Sequence, residues 1–268
     1  MSITITKADG TREPHNADRV NRSIERACAG LTDPIAMVTQ IATETHLTLY
    51  DGITTDELDQ ATINAAVQNI KEDIQYDKVA TRLLLKTIYR KAIGEYDKEN
   101  PADLRQKHRD GFLGYISNGI ENKRLHPDMG RKFNLEQLAD ALAIERDELF
   151  GYAGLDGILN RYFMKDDKRQ PVETPQYFFM RVAMGLSYHE NNPTEYAKKF
   201  YDKMSRHQYI AGGSTNLGAG TTRPALSNCY LMEIHDDMGH IAKSVSDVIL
   251  LSKGSGGIGA SITKLRAT

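Results

Sequence analysis

The sequence predicts a mainly helical α+β fold in three parts, residues 1–96, 97–210 and 211–268. Three observations predict it. A short alternating segment with a hairpin signal opens the chain, and a series of segments with helical periodicity and clear start signals follows. Near the far end, a strand-like run leads into an amphipathic segment and then a glycine loop. With 268 residues, the chain can bury a sizeable core and carry two or three units.

In residues 2–7, Ile and Thr alternate, as a short half-buried strand requires. Asp9-Gly10 then marks a hairpin whose return runs through Arg12 to His15. Asn16 suits the N-cap of a first helix, because its side-chain oxygen can accept an otherwise unpaired backbone N–H. Val20, Ile24, Ala27 and Cys28 form the buried stripe of that helix, and Gly30 stops it. A second helix opens at Asp33-Pro34, where proline is pre-set for the first helical position. The third opens with the capping box Thr54-Thr55-Asp56-Glu57 and runs to about Lys71. A fourth spans about residues 77–96, with Val79, Leu83, Ile88 and Ala92 near helical spacing. The expectation is a small β cap on four helices.

Asn100-Pro101 marks the next boundary, because the residue before a proline disfavours helix. Residues 104–162 read as helical. One helix starts at Asn134-Leu135-Glu136 and is apolar at Leu138, Ala141, Leu142 and Leu149. Thr174-Pro175 caps another, with Phe178, Val182, Ala183 and Leu186 facing inward, and Pro193-Thr194 opens the one after it. No catalytic candidate stands out in this block. Residues 210–222, IAGGSTNLGAGTT, are too rich in glycine for a regular element.

The third part holds the chemistry. In RPALSNCYLMEI (residues 223–234), approximate alternation at Leu226, Cys229, Leu231 and Ile234 favours a buried strand with the thiol turned inward. A lone buried cysteine is most often a small hydrophobe, so Cys229 needs context before it becomes a candidate. Ile241, Val245, Val248, Ile249 and Ser252 recur at helical spacing and lead to SKGSGGIG (residues 252–259). Gly254, Gly256 and Gly259 formally satisfy GxGxxG. A dinucleotide site, however, needs a strand before the glycines and an acidic residue about 20 positions later, and neither is there. A Walker loop is also excluded, because Lys253 precedes the glycines and no GK[ST] follows them. What is left is a backbone-exposing loop with Lys253, Lys264 and Arg266 as phosphate-compatible cations.

Composition narrows the classes further. Net charge is -2 with both signs interspersed, and no basic block marks a nucleic-acid backbone as partner. No apolar run approaches the roughly 18 residues of a membrane span, and the N-terminus lacks a signal-peptide layout, so a cytoplasmic protein is expected. Two cysteines, Cys28 and Cys229, are too few for a disulfide framework. Cys28 shares its helical face with core residues. His235 and His240 flank Asp236-Asp237 without the spacing of a zinc or di-iron set, so no metal is expected in this chain.

RPxLSNC, then about 20 residues, then SKGxGGIG and a terminal RAT together resemble the large catalytic subunit of ribonucleotide reductases. ETPQYFFMRVAMGL (residues 173–186) resembles that family's helix ahead of its barrel. The resemblance covers essentially the whole chain but only the N-terminal part of the family's subunit. It implies that residues 211–268 begin a ten-stranded α/β barrel with its first strand and loop. The opening unit resembles an ATP-cone, a regulatory module that takes ATP or dATP. Lys7, Asp9-Gly10, Glu13, Asn16 and Arg19 fall at that module's phosphate- and ribose-binding positions, as do Thr55 and Arg90 further on. Ala8 stands where a second basic residue is frequent, Arg19 where Lys is usual, and Asp59 where some members carry His.

Transferred to matching positions, the resemblance makes Cys229 one of two thiols that reduce the 2′-carbon of a ribonucleotide in a radical reaction. The second reducing Cys, the radical-carrying Cys and the general-base Glu are not in this sequence. Ser214, Thr215, Ser227 and Asn228 would bind substrate, with Gly256 and Gly257 allowing close backbone approach; Gly213 stands where many members have Thr. A dNTP effector would be held by Asp236 or Asp237 at its 3′-hydroxyl and by Lys253 and Arg266 at its phosphates. Met238 and Ile241 would touch the base or pack a subunit interface.

Implied partners are the remaining barrel of the large subunit, a radical-generating small subunit carrying its own metal, a second copy of the completed subunit, and a thioredoxin- or glutaredoxin-type reductant. Either the chain is a shortened one, or it is one half of a subunit carried on two polypeptides. In both cases no reductase activity is expected of it alone. The competing reading is an ATP/dATP-sensing module without catalysis, which leaves Cys229 and the glycine loop unexplained.

Overall fold

The computed structural model describes residues 3–96, 100–254 and 256–267. Ser2, Ser255 and Thr268, which the sequence reading included, lie outside them. The chain divides into two compact units: Met1–Glu95 with Asp147–Asn160, and Tyr96–Arg146 with Arg161–Thr268.

In the first unit, β1 (Thr4–Thr6) pairs antiparallel with β2 (Arg12–Pro14). Gly10 supplies the positive φ of the turn between them, 83°. The sheet gains a third strand that the sequence did not announce, β3 (Ile53–Thr54), parallel to β1. Two residues are too few to show a period. Four helices follow the cap: α1 (Ala17–Cys28), α2 (Pro34–Leu47), α3 (Thr55–Gln68) and α4 (Gln75–Ile93). Their starts are the ones the sequence marks. Asn16 accepts from the Arg19 backbone N–H, Asp33 from that of Ala36, and Thr54 and Glu57 close a reciprocal capping box. Cys28 is fully buried beside Ile24 on α1.

Residues 147–160 also belong to this unit. Both Lys78 and Arg82 on α4 bond to Glu148, the Tyr89 hydroxyl donates to Asp147, and the Tyr152 N–H donates to Asp77 at 3.1 Å. Periodicity cannot reveal such a return, because its partners lie about 60 to 75 positions away.

The second unit is helical around α9 (Pro175–Ser187), with α5 (Pro101–Glu121), α6 (Asp128–Arg131), α7 (Leu135–Asp140) and α10 (Pro193–Ser205) in the same unit. A 3-10 turn at Ile144–Leu149 and α8 (Tyr152–Arg161) bridge the chain between α7 and α9. Thr174 caps α9 through the Tyr177 N–H, and proline opens α5, α9 and α10. Two expectations change. Leu149 is exposed and lies beyond α7, which ends at Asp140; α9 is buried on nearly every side, Arg181 included, while Leu186 is only half-buried. A helix enclosed all round has no polar face for a period to display. At Gly185 an added Cβ would come within 2.2 Å of the Gly220 nitrogen, so the two backbones meet directly.

The glycine-rich run at 210–222 contains a short helix, α11 (Gly213–Gly218), where no regular element was expected. After it come β4 (Cys229–His235), α12 (Met238–Lys253) and β5 (Gly257–Lys264). The strands are parallel, so a crossover is required, and α12 is that crossover. Glycine content hides β5, whose Gly257 and Gly259 belong to a strand and not to a loop. β4 is not buried: Leu231 is 92% exposed and Cys229 is exposed. Among the described residues, only β5 pairs with β4, so the alternation that suggests an inner strand leaves its side chains open to solvent. No helix of the described residues is long and apolar enough to cross a membrane.

Candidate functional site

Three clusters gather the candidate side chains, one in the first unit and two at opposite ends of the strand pair in the second. In the first unit, the end of β1, the strand β2 and the start of α1 bring Lys7, Glu13, Asn16 and Arg19 together. Glu13 accepts from Lys7 Nζ at 2.6 Å and Arg19 Nη1 at 3.5 Å, while Asn16 Oδ1 accepts from the Arg19 backbone at 3.0 Å. Thr55 opens α3 and donates to the Thr6 carbonyl at 3.5 Å, which places it beside the same strand end. Arg90 on α4 pairs with Asp56 at 3.1 Å and Asp59 at 2.6 Å; Lys86 reaches Asp59 at 2.7 Å and Lys91 reaches Asp56 at 3.0 Å.

Burial pushes the Asp59 carboxyl up, but Lys86 and Arg90 outweigh it and hold that carboxyl below its ordinary value. This group of acids and bases was not foreseen from sequence. Its signal was available, since Asp56 and Asp59 on one helix match Lys86, Arg90 and Lys91 on the next. A separate open cleft of about 350 Å³ follows α2 and α3, with Glu44, Tyr50, Glu57, Gln60 and Asn64 in its wall. Among the described residues, no Lys or Arg lines it, so the cluster around Lys7 and Arg90, and not this cleft, has the charges a triphosphate needs.

In the second unit, Cys229 opens β4 with Gly257 as its cross-strand partner, and the Gly257 N–H donates to the Asn228 carbonyl at 2.8 Å. Gly256 lies directly under the Tyr230 ring: a Cβ there would stand 2.6 Å from it, so any side chain would have to displace the ring. On the other side, a Cβ on Gly212 would meet the Asn228 side chain at 2.9 Å, so the start of α11 adjoins residue 228. Thr215 donates to the Leu226 carbonyl at 3.1 Å, and the Ser227 carbonyl accepts from the Tyr230 hydroxyl at 3.2 Å. The Ser214 hydroxyl is buried with no hydrogen-bond partner among the described residues. The segments carrying Ser214, Thr215, Ser227, Asn228, Cys229, Gly256 and Gly257 therefore converge on one end of the parallel pair.

The opposite end holds Asp236, Asp237, Met238 and Arg266. Arg266 Nε lies 3.2 Å from Asp236, Asp237 caps α12 by accepting from the His240 N–H at 2.8 Å, and Met238 is exposed. Lys253 is not among them. It ends α12, which at about 1.5 Å per residue puts it roughly 22 Å from Met238 and toward the Cys229 end. Among the described residues, no group of three or more His, Cys, Asp or Glu is arranged to hold a metal ion.

Three domain families match in chain order: the ATP cone domain over residues 3–91, the ribonucleotide reductase all-alpha domain over 148–224, and the ribonucleotide reductase barrel domain over 227–268. Relatives agree along the whole chain. The ribonucleoside-diphosphate reductase subunit alpha of Chlamydia muridarum is 37% identical over all of this chain and 25% of its own length. The protein of that name from Helicobacter pylori (strain ATCC 700392 / 26695) is 32% identical over 99% of this chain and 32% of its own length. The ribonucleoside-diphosphate reductase large subunit of Caenorhabditis elegans is 27% identical over 100% and 33%. This chain belongs to the ribonucleotide reductase large-subunit family. It corresponds to the N-terminal part of a reductase large subunit and spans a quarter to a third of the length of these relatives. The ATP-cone match supports nucleotide-effector binding by the first unit. The all-alpha match begins at residue 148, within the segment that packs on α4.

Proposed function

We propose that this chain supplies the regulatory cone and one reducing thiol of a ribonucleoside-diphosphate reductase, acting with the rest of the barrel and a radical-generating, metal-bearing small subunit. The observation that carries the reading is the exposed Cys229 beside Gly257, next to Gly256 under the Tyr230 ring and within the barrel-domain match. In this role the Cys229 thiol and a second thiol from the remaining barrel give up two electrons and two protons. The 2′-hydroxyl of the ribonucleotide leaves as water, a C–H bond forms at that carbon, and the two sulfurs join in a disulfide. A thioredoxin- or glutaredoxin-type dithiol then restores them. Ser214, Thr215, Ser227 and Asn228 hold the substrate, and the backbone at Gly256 and Gly257 lets it approach.

ATP or dATP binds the cone through Lys7, Glu13, Asn16, Arg19, Thr55 and Arg90, the cations facing the phosphates. A dNTP binds at Asp236, Asp237, Met238 and Arg266. The position of Lys253 favours a role near Gly256 rather than at that dNTP. The completed subunit works as a dimer in the cytoplasm. Co-expression with a polypeptide carrying the remaining barrel and with the small subunit tests the proposal: reduction of a ribonucleoside diphosphate is expected from the assembly and none from this chain alone. An assembly that binds no ribonucleotide would refute it.

A further inference from the structure

Arg181 is a large, fully buried side chain, and Glu173, its partner at 2.6 Å, is fully buried too. Taking two such ions out of water is costly, and an apolar pair of equal volume would serve a purely structural core as well or better. The remaining donors of Arg181 suggest another use. Nη1 donates to the Ala219 carbonyl at 2.8 Å, and Nη2 donates to the carbonyls of Asn216 and Tyr162, each at 3.2 Å. The first two are carbonyls at the C-terminal end of α11, which a six-residue helix leaves without internal partners. Glu173 is held in turn by the Tyr115 hydroxyl and by the Met164 N–H at 2.8 Å. The Tyr162 side chain also lies beside the other end of α11, where a Cβ on Gly213 would come within 3.3 Å of its hydroxyl.

We propose that Arg181 is a positioning residue that fixes α11, and through Ser214 and Thr215 the ribonucleotide; this rests on the reading of α11 as part of the substrate site. The fork of the guanidinium matters because it bonds Glu173 and three carbonyls at once, which a lysine cannot do.

The test is Arg181→Lys, which keeps the charge and removes the fork. In the full chain, amide exchange at residues 213–219 should speed up roughly tenfold while α9 is unchanged, a local loosening of the kind held contacts normally suppress. In the assembled enzyme, KM for the ribonucleoside diphosphate should rise roughly tenfold, with kcat within about threefold of wild type and ATP binding to the cone unaltered. A folded Arg181→Lys chain with wild-type exchange at 213–219, or with unchanged KM, overturns the inference. So does exchange that rises equally across the whole second unit. If Arg181→Lys fails to fold, Glu173→Gln/Arg181→Met removes both charges together; it should loosen 213–219 alone, and wild-type exchange there sinks the idea. Failure of the wild-type assembly to bind ribonucleotide refutes the reductase reading instead, and exchange still decides whether Arg181 fixes α11.

Discussion

The cone cluster and the Cys229 end are built on opposite plans. In the cone, each candidate cation already has a carboxylate: Lys7 and Arg19 share Glu13, and Arg90 has Asp56 and Asp59. At the Cys229 end the shape comes from backbone, through Gly256 under Tyr230, Gly212 against Asn228, and the Gly257 bond to residue 228. The first plan makes a charge-balanced cluster in which an incoming phosphate would compete with Glu13 and Asp56, which are partly exposed and hence weakly held, while Asp59 is more firmly enclosed. The second makes a cradle whose geometry does not depend on titration.

The largest expected break in that comparison is Cys229→Ser. In the assembled enzyme it should lower turnover by on the order of a thousandfold or more, while ATP titrated into the chain by calorimetry binds as before. Next comes reactivity of the two thiols. Burial pushes the Cys28 thiol up to about 11, whereas Cys229 is exposed, so iodoacetamide at pH 8 should modify one site per folded chain and a second only in denaturant. Two rapid modifications, read by mass spectrometry, would contradict the buried position of Cys28.

Asp59→Asn should cost about 3 kcal/mol at neutral pH, because it leaves Lys86 without its largely buried carboxylate and Arg90 with Asp56 alone. Since the folded carboxyl lies below its ordinary 3.8, the contribution of Asp59 is complete above that value and is lost as pH falls through the folded one. The gap between variant and wild type in denaturant melts should therefore close in strong acid. Smallest is Lys7→Ala. Removing one exposed cation of the proposed phosphate site should weaken ATP about tenfold by calorimetry, with the melting temperature unchanged.

The sequence was most informative where structure is set within a few residues. Asn16, Asp33, Thr54 with Glu57, and Thr174 all start helices where their side chains can reach a backbone N–H three positions on. Cys28 was readable as core from its helical face. Elements whose stability comes from distant partners were not legible: β3 exists because β1 lies beside it, and β5 is a strand in spite of its glycines because β4 pairs with it. The inward turn of the Cys229 thiol failed for a related reason, since alternation specifies a face without saying what covers it. Lys253 shows the same limit, for closeness to Arg266 in sequence gave no hint that a whole helix separates it from Asp236. Arg181 did leave a trace, a single cation in the otherwise apolar stretch FFMRVAMG.

The backbone contact between Gly185 and Gly220 sets a boundary on how this sequence can drift. A methyl at 185 would strike a main-chain nitrogen at 2.2 Å, and no neighbouring rotamer change can make that room. Random mutagenesis across residues 175–187 should therefore recover varied apolar residues at positions such as 182, and glycine alone at 185.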